Sequence, residues 1–131
     1  MAEVLLELGQ DPRLMVWRNN TGRLEAVKKG RGRGFCEACG KALQGRWVSF
    51  GLPGSPDIIG FLEDGTWLGI EVKRPGQKQT DQQVKFQRRA NQLQAVYLLT
   101  SSASHARERV NAILETGQAT SEGGPAALTS L

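Results

Sequence analysis

An α/β fold, a small mixed β-sheet flanked by helices, follows from three observations on this 131-residue chain. Apolar runs at 57–62 and 66–73 flank Glu63-Asp64-Gly65, which reads as an antiparallel hairpin. A helical pattern from 80 to about 93 and an apolar run at 95–99 then make a strand–helix–strand unit, whose strands must be parallel. Further helical patterns lie near both ends. Helices covering the faces of such a sheet give an α/β architecture.

The elements follow in chain order. Residues 2–9 suit a short helix, with Val4, Leu5 and Leu8 apolar and an end near Gly9. Leu14-Met15-Val16-Trp17-Arg18 is a strand, and the Asn and Gly of 19–22 mark a turn. Residues 23–45 form a Gly-rich basic loop, with a short strand near 24–27. Arg46-Trp47-Val48-Ser49-Phe50 is another strand. The next helix opens at Thr80, and its Gln83 shares a face with Phe86, Ala90 and Leu93. Ser101 or Ser102 caps a last helix that reaches about residue 115 and stops at Gly117. One domain, 1–117, is expected. Residues 118–131, rich in Gly, Ser, Thr and Ala, are expected to be a disordered tail.

The hairpin carries the chemistry. Alternation along the second strand puts Glu71 and Lys73 on one face and Val72 on the other. A two-residue turn at Asp64-Gly65 would set Asp57 opposite Val72. A three-residue loop with Gly65 in the left-handed conformation sets Asp57 opposite Glu71, and Gly65 suits that position. The second register is expected, because two carboxylates beside a lysine can hold Mg²⁺ or Mn²⁺ and orient a water for attack on a phosphodiester. A plain hairpin with charged ends in solvent would use the same residues.

The ordered set Gly54-Ser55-Pro56-Asp57, Glu71-Val72-Lys73 and Thr80-Asp81-Gln82-Gln83 resembles the virus-type replication-repair nuclease (VRR-NUC) family, a branch of the PD-(D/E)XK nuclease superfamily. Arg18-Asn19-Asn20-Thr21-Gly22 is similar to the segment before the core in phage and bacterial members. The resemblance spans roughly residues 3–100. It implies a restriction-endonuclease-like core and a metal-dependent DNA endonuclease that leaves a 5′-phosphate. It also implies a homodimer that cuts branched DNA such as Holliday junctions. Asp57 and Glu71 become metal ligands, joined by the Val72 carbonyl and a glutamate of the first helix. Glu3 fits that last place by its distance from Arg18, and Glu7, one turn on, is the alternative. Lys73 would orient the water and neutralise phosphate charge. Gln83 belongs to the family's active-site motif, although a capping box with Thr80 also accounts for it.

Charge distribution agrees with a polyanionic partner. The net charge is +4, yet residues 13–46 alone hold nine Lys or Arg against Glu25 and Glu37. Such segments gain affinity for nucleic acid by releasing counterions. Arg18, Asn19, Lys28, Lys29, Arg31, Arg33 and Lys78 are the candidate DNA contacts, with bracing of the loop as the alternative for Arg18 and Asn19. Cys36 and Cys39 are the only cysteines and His105 the only histidine, too few for a four-ligand zinc site within one chain; two reduced thiols are expected. No apolar run has membrane-spanning length and no signal peptide is visible, so a cytoplasmic protein of a bacterium or phage-infected cell is expected. A sequence-specific restriction-type nuclease and a non-catalytic nucleic-acid-binding module are the competing readings. The first lacks a recognisable base-reading element, and the second predicts no dependence on the acids.

Overall fold

The computed structural model describes residues 1–26, 38–39 and 46–117. The elements run α1 (Ala2–Leu8), β1 (Leu14–Arg18), β2 (Gly22–Ala26), β3 (Arg46–Phe50), β4 (Ile58–Leu62), β5 (Trp67–Val72), α2 (Asp81–Gln92), β6 (Val96–Thr100) and α3 (Ala103–Thr116). The main sheet is mixed and four-stranded, in the order β1-β4-β5-β6. β1 and β5 lie antiparallel to β4, and β6 lies parallel to β5. The α/β architecture and the parallel pair across α2 are as the sequence predicts.

The two faces of the sheet differ because alternate residues differ. Ile58, Leu62, Leu68, Ile70, Val96 and Leu98 point to one face. There they pack with Val4 and Leu8 of α1 and with Ala106, Val110 and Ile113 of α3. The spacings 4/8 and 106/110/113 put these side chains on one stripe of each helix. Asp11 fastens this layer at its edge. Its carboxylate accepts from Arg13 Nη2 at 2.8 Å and Arg107 Nη1 at 2.7 Å, while Arg107 Nε reaches Glu7 Oε1 at 3.1 Å. These arginine bonds, that from Arg13 foremost, hold the Asp11 carboxyl well below the usual carboxylate range.

α2 covers part of the opposite face. Its Phe86 lies 6.0 Å from Trp67 and 6.1 Å from Tyr97, between ring centroids. The inward stripe differs from the sequence expectation at its end, because Leu93 is 64% exposed. Helix α2 finishes at Gln92, Leu93 is the cap residue, and Gln94 turns left-handed at φ 63°. The chain therefore swings Leu93 out, and the buried residues of α2 are Gln87 and Ala90.

β2 and β3 pair with each other as a separate two-stranded sheet. The sequence located both strands but not their pairing. The basic stretch between them, with Lys28, Lys29, Arg31, Arg33 and Cys36, lies outside the described residues, as does 118–131. Cys39 is exposed with a free thiol. No described helix is long and apolar enough to cross a membrane.

Candidate functional site

The hairpin register brings the two acids together. The pairs Ile58↔Ile70, Ile59↔Gly69, Gly60↔Leu68 and Phe61↔Trp67 place Asp57 opposite Glu71 one step further on. The loop is the three-residue form. Leu62 N–H donates to the Thr66 carbonyl at 2.9 Å, Gly65 N–H donates to the Leu62 carbonyl at 2.9 Å, and Gly65 has φ 85°. Glycine takes that left-handed conformation without strain.

Glu71 is buried, at 3% exposure, beneath the first turn of α2. Lys73 Nζ sits 3.0 Å from its Oε1, and Gln83 Nε2 donates to the same oxygen at 2.5 Å. Gln83 also completes the capping box: its Oε1 accepts from Thr80 N–H at 2.9 Å, while its own N–H donates to Thr80 Oγ1 at 3.3 Å. One side chain therefore caps the helix with its oxygen and serves the site with its nitrogen. The capping box is as the sequence predicts, and the same side chain also holds Glu71.

Glu71 Oε2 is buried with no hydrogen-bond partner among the described residues. Buried polar atoms are rarely left so. Burial pushes the Glu71 carboxyl up, and the negative charge of Asp57 adds to this, against the opposing pull of Lys73 and Gln83. A carboxylate in that condition is suited to a cation.

The strand edge supplies a third oxygen. The bonded pair 62/66 sets the rhythm of the β4–β5 ladder, so every second pair bonds and the rung after 58/70 is 56/72. Position 56 is proline and has no N–H to donate. Val72 N–H instead donates to Asp57 Oδ2 at 3.0 Å. On the opposite edge it is Lys73 N–H that bonds β6, donating to the Thr100 carbonyl at 2.8 Å. The N–H and C=O of one strand residue point the same way, so the Val72 carbonyl faces the Asp57 side and lacks the donor that position 56 would otherwise provide. Two carboxylates and a main-chain carbonyl, with remaining positions left to water, is a donor set that fits Mg²⁺ or Mn²⁺.

The approach to Asp57 is held from two sides. Gly54, at φ 79°, lies so close to α2 that a Cβ there would meet the Gln82 carbonyl oxygen at 2.3 Å. Only glycine permits this contact, which seats the loop against the turn that carries Gln83. Just beyond β1, Asn19 N–H donates to the Asp57 carbonyl at 2.8 Å, and its Nδ2 donates to Ser55 Oγ at 2.8 Å and the Pro56 carbonyl at 2.9 Å.

The other expected residues are placed as follows. Arg18 is exposed and lines a cleft of about 380 Å³ together with Met1, Asn19, Thr21, Phe50 and Asp57. Lys78 is exposed between β5 and α2. Glu3 is exposed on α1, and Glu7 is held by Arg107. Among the described residues no three His, Cys, Asp or Glu gather as a metal-holding group, so neither glutamate of α1 joins Asp57 and Glu71 in a three-acid cluster. Sequence reasoning missed the polar layer under α2, where Gln79 Nε2 donates to the buried Gln87 Oε1 at 3.0 Å and the buried Tyr97 hydroxyl lies beside Gln79 without a well-formed hydrogen bond. Its only signal was the density of glutamines between 77 and 94.

No protein-family model matches the chain, and neither does any curated protein or solved structure.

Proposed function

We propose that the chain is a metal-dependent DNA endonuclease with a restriction-endonuclease-like core, similar to the VRR-NUC family. The observation that carries this reading is the buried, unpartnered Glu71 Oε2, on a carboxylate set in register with Asp57 beside Lys73. A merely structural hairpin has no reason to bury such an oxygen.

Asp57, Glu71 and the Val72 carbonyl would hold Mg²⁺ or Mn²⁺. When bound, the ion lowers the pKa of a water and offsets charge on the phosphodiester. The chain's own side chains do the remainder. Lys73, with one N–H spent on Glu71, keeps two donors for the attacking water and a non-bridging phosphate oxygen. Gln83 fixes the Glu71 carboxylate so that Oε2 stays turned away from the helix cap. Arg18, at the rim of the cleft that contains Asp57, provides charge for a neighbouring phosphate. Water adds to phosphorus, the 3′-oxygen departs, and a 5′-phosphate remains.

A homodimer acting on branched DNA completes the reading. Symmetric incision of a four-way junction needs two sites related by a two-fold axis, and this chain has one. Met15, Trp17 and Phe61, on the same sheet face as Asp57 but beyond the cover of α2, are 59%, 42% and 39% exposed. Such a patch is apolar surface that a second copy would bury.

An incision assay tests the reading with duplex, flap and four-way-junction DNA, each with and without Mg²⁺ or Mn²⁺. Metal-dependent cutting strongest on the junction is expected, with Asp57→Ala abolishing it and leaving DNA binding intact. Cutting that survives Asp57→Ala, or binding with no cutting on any substrate, refutes the assignment.

A further inference from the structure

Resting on that reading, we infer that Asn19 is a positioning residue: it withdraws the Pro56 carbonyl from the last rung of the β4–β5 ladder and so aims both Asp57 and Val72 at the cation site. In an ordinary antiparallel ladder, the 56/72 pair would exchange two backbone bonds. Proline removes one of them by having no N–H. The Pro56 carbonyl, the natural acceptor for Val72 N–H, is taken by Asn19 Nδ2 at 2.9 Å. Val72 N–H is thereby left to the Asp57 carboxylate, which it meets at 3.0 Å. That bond fixes one Asp57 oxygen against the strand and leaves the other for a ligand. The Val72 carbonyl, deprived of a donor at position 56, is available beside it.

The amide orientation of Asn19 is not arbitrary. A carbonyl only accepts, so the group facing Pro56 must be the NH₂. Both of its hydrogens are used, on Pro56 and on Ser55 Oγ at 2.8 Å, and the backbone N–H is spent on the Asp57 carbonyl at 2.8 Å. What remains is Oδ1, an acceptor, which has nothing to offer a phosphate oxygen. The residue that the sequence presents as a DNA contact therefore acts through Asp57.

Asn19→Leu keeps the approximate side-chain volume and removes both donors. Its Mn²⁺ affinity, measured calorimetrically on the full chain, is expected to fall roughly 10–100-fold, as for loss of groups that orient metal ligands. Its DNA affinity in EDTA is expected to be unchanged. NMR coupling across the Val72 hydrogen bond gives a metal-free readout: the acceptor is expected to be the Asp57 carboxylate in wild type and the freed Pro56 carbonyl in Asn19→Leu. Pro56→Ala is the second variant. It keeps Asn19 but returns an N–H that can occupy the Val72 carbonyl, and it too should weaken Mn²⁺. Unchanged Mn²⁺ affinity in either variant, a Val72 acceptor that stays the Asp57 carboxylate in Asn19→Leu, or a loss of DNA affinity alone overturns the inference. If the wild-type chain binds no Mn²⁺ yet Asn19→Leu moves the Val72 bond from Asp57 to Pro56, the positioning role stands and the hydrolase reading fails.

Discussion

Replacing Gln83 by Glu separates its two duties. A glutamate at this position serves a capping box as well as a glutamine does, because only the side-chain oxygen faces Thr80. It cannot donate to Glu71. The wild-type bond, 2.5 Å from Gln83 Nε2 to Glu71 Oε1, is charge-assisted, and its loss costs about 1.5–3 kcal/mol. A second carboxylate then stands against the first, and two like charges near contact repel by about 4 kcal/mol at an effective dielectric of 20. Part of that is relieved by rotation or protonation, so a net loss of about 3 kcal/mol is expected. In a domain of this size each kcal/mol moves Tm by roughly 3–6 °C, so Tm in EDTA should fall by about 10 °C. Gln83→Ala, which loses both bonds but adds no charge, should fall less. A scan by differential fluorimetry decides the matter. If Gln83→Glu melts with wild type and above Gln83→Ala, Gln83 is only a cap and its bond to Glu71 does not exist.

Three other outcomes are expected. In Gly69→Ala the new Cβ would meet Trp67 ring carbons at 2.5 and 2.6 Å and Pro56 Cγ at 2.7 Å. Such overpacking costs about 1–3 kcal/mol, and Trp67 fluorescence should shift; since Pro56 precedes Asp57, Mn²⁺ affinity should drop as well, and an unaltered spectrum would contradict the packing. Asp11→Asn should lower stability at pH 7 by about 1.5–3 kcal/mol. Because the folded Asp11 carboxyl titrates below its unfolded value near 3.9, wild type holds this advantage above that pH and loses it as the pH falls further toward the folded value. The two melting curves should converge in acid, and a constant gap would reject the linkage. Tyr97→Phe removes a buried hydroxyl to which its neighbour Gln79 makes no well-formed bond, so urea unfolding should show equal or higher stability; a loss above about 1 kcal/mol would mean the Gln79 contact is a true hydrogen bond.

Much of the sheet was legible because its signals are local. Alternation and Gly65 narrowed the hairpin to two registers, the chemistry of paired acids chose the one that sets Asp57 against Glu71, which the structure has, and the parallel pairing of β5 with β6 followed from the helix between them. The caps at Thr80, Ser102 and Gly117 were readable for the same reason. What escaped depends on contacts between distant segments. Nothing near Asn19 in sequence says that its amide will reach Pro56, 37 residues on. Trp67 folding over Gly69 onto Pro56 is likewise a tertiary fact. Leu93 was misjudged by a single residue, since helical periodicity does not mark where α2 stops. The pairing of Glu7 with Arg107 joins residues 100 apart, and no periodicity in α1 discloses it.

The most direct test of the central claim, a cation held between Asp57 and Glu71, is calorimetric titration of Mn²⁺ into the wild-type chain, Asp57→Asn and Glu71→Gln at neutral pH. One saturable site in wild type, lost in both variants while their folds persist, is the expected result. A wild-type chain that takes up no Mn²⁺, or two variants that bind it as tightly as wild type, would contradict the claim.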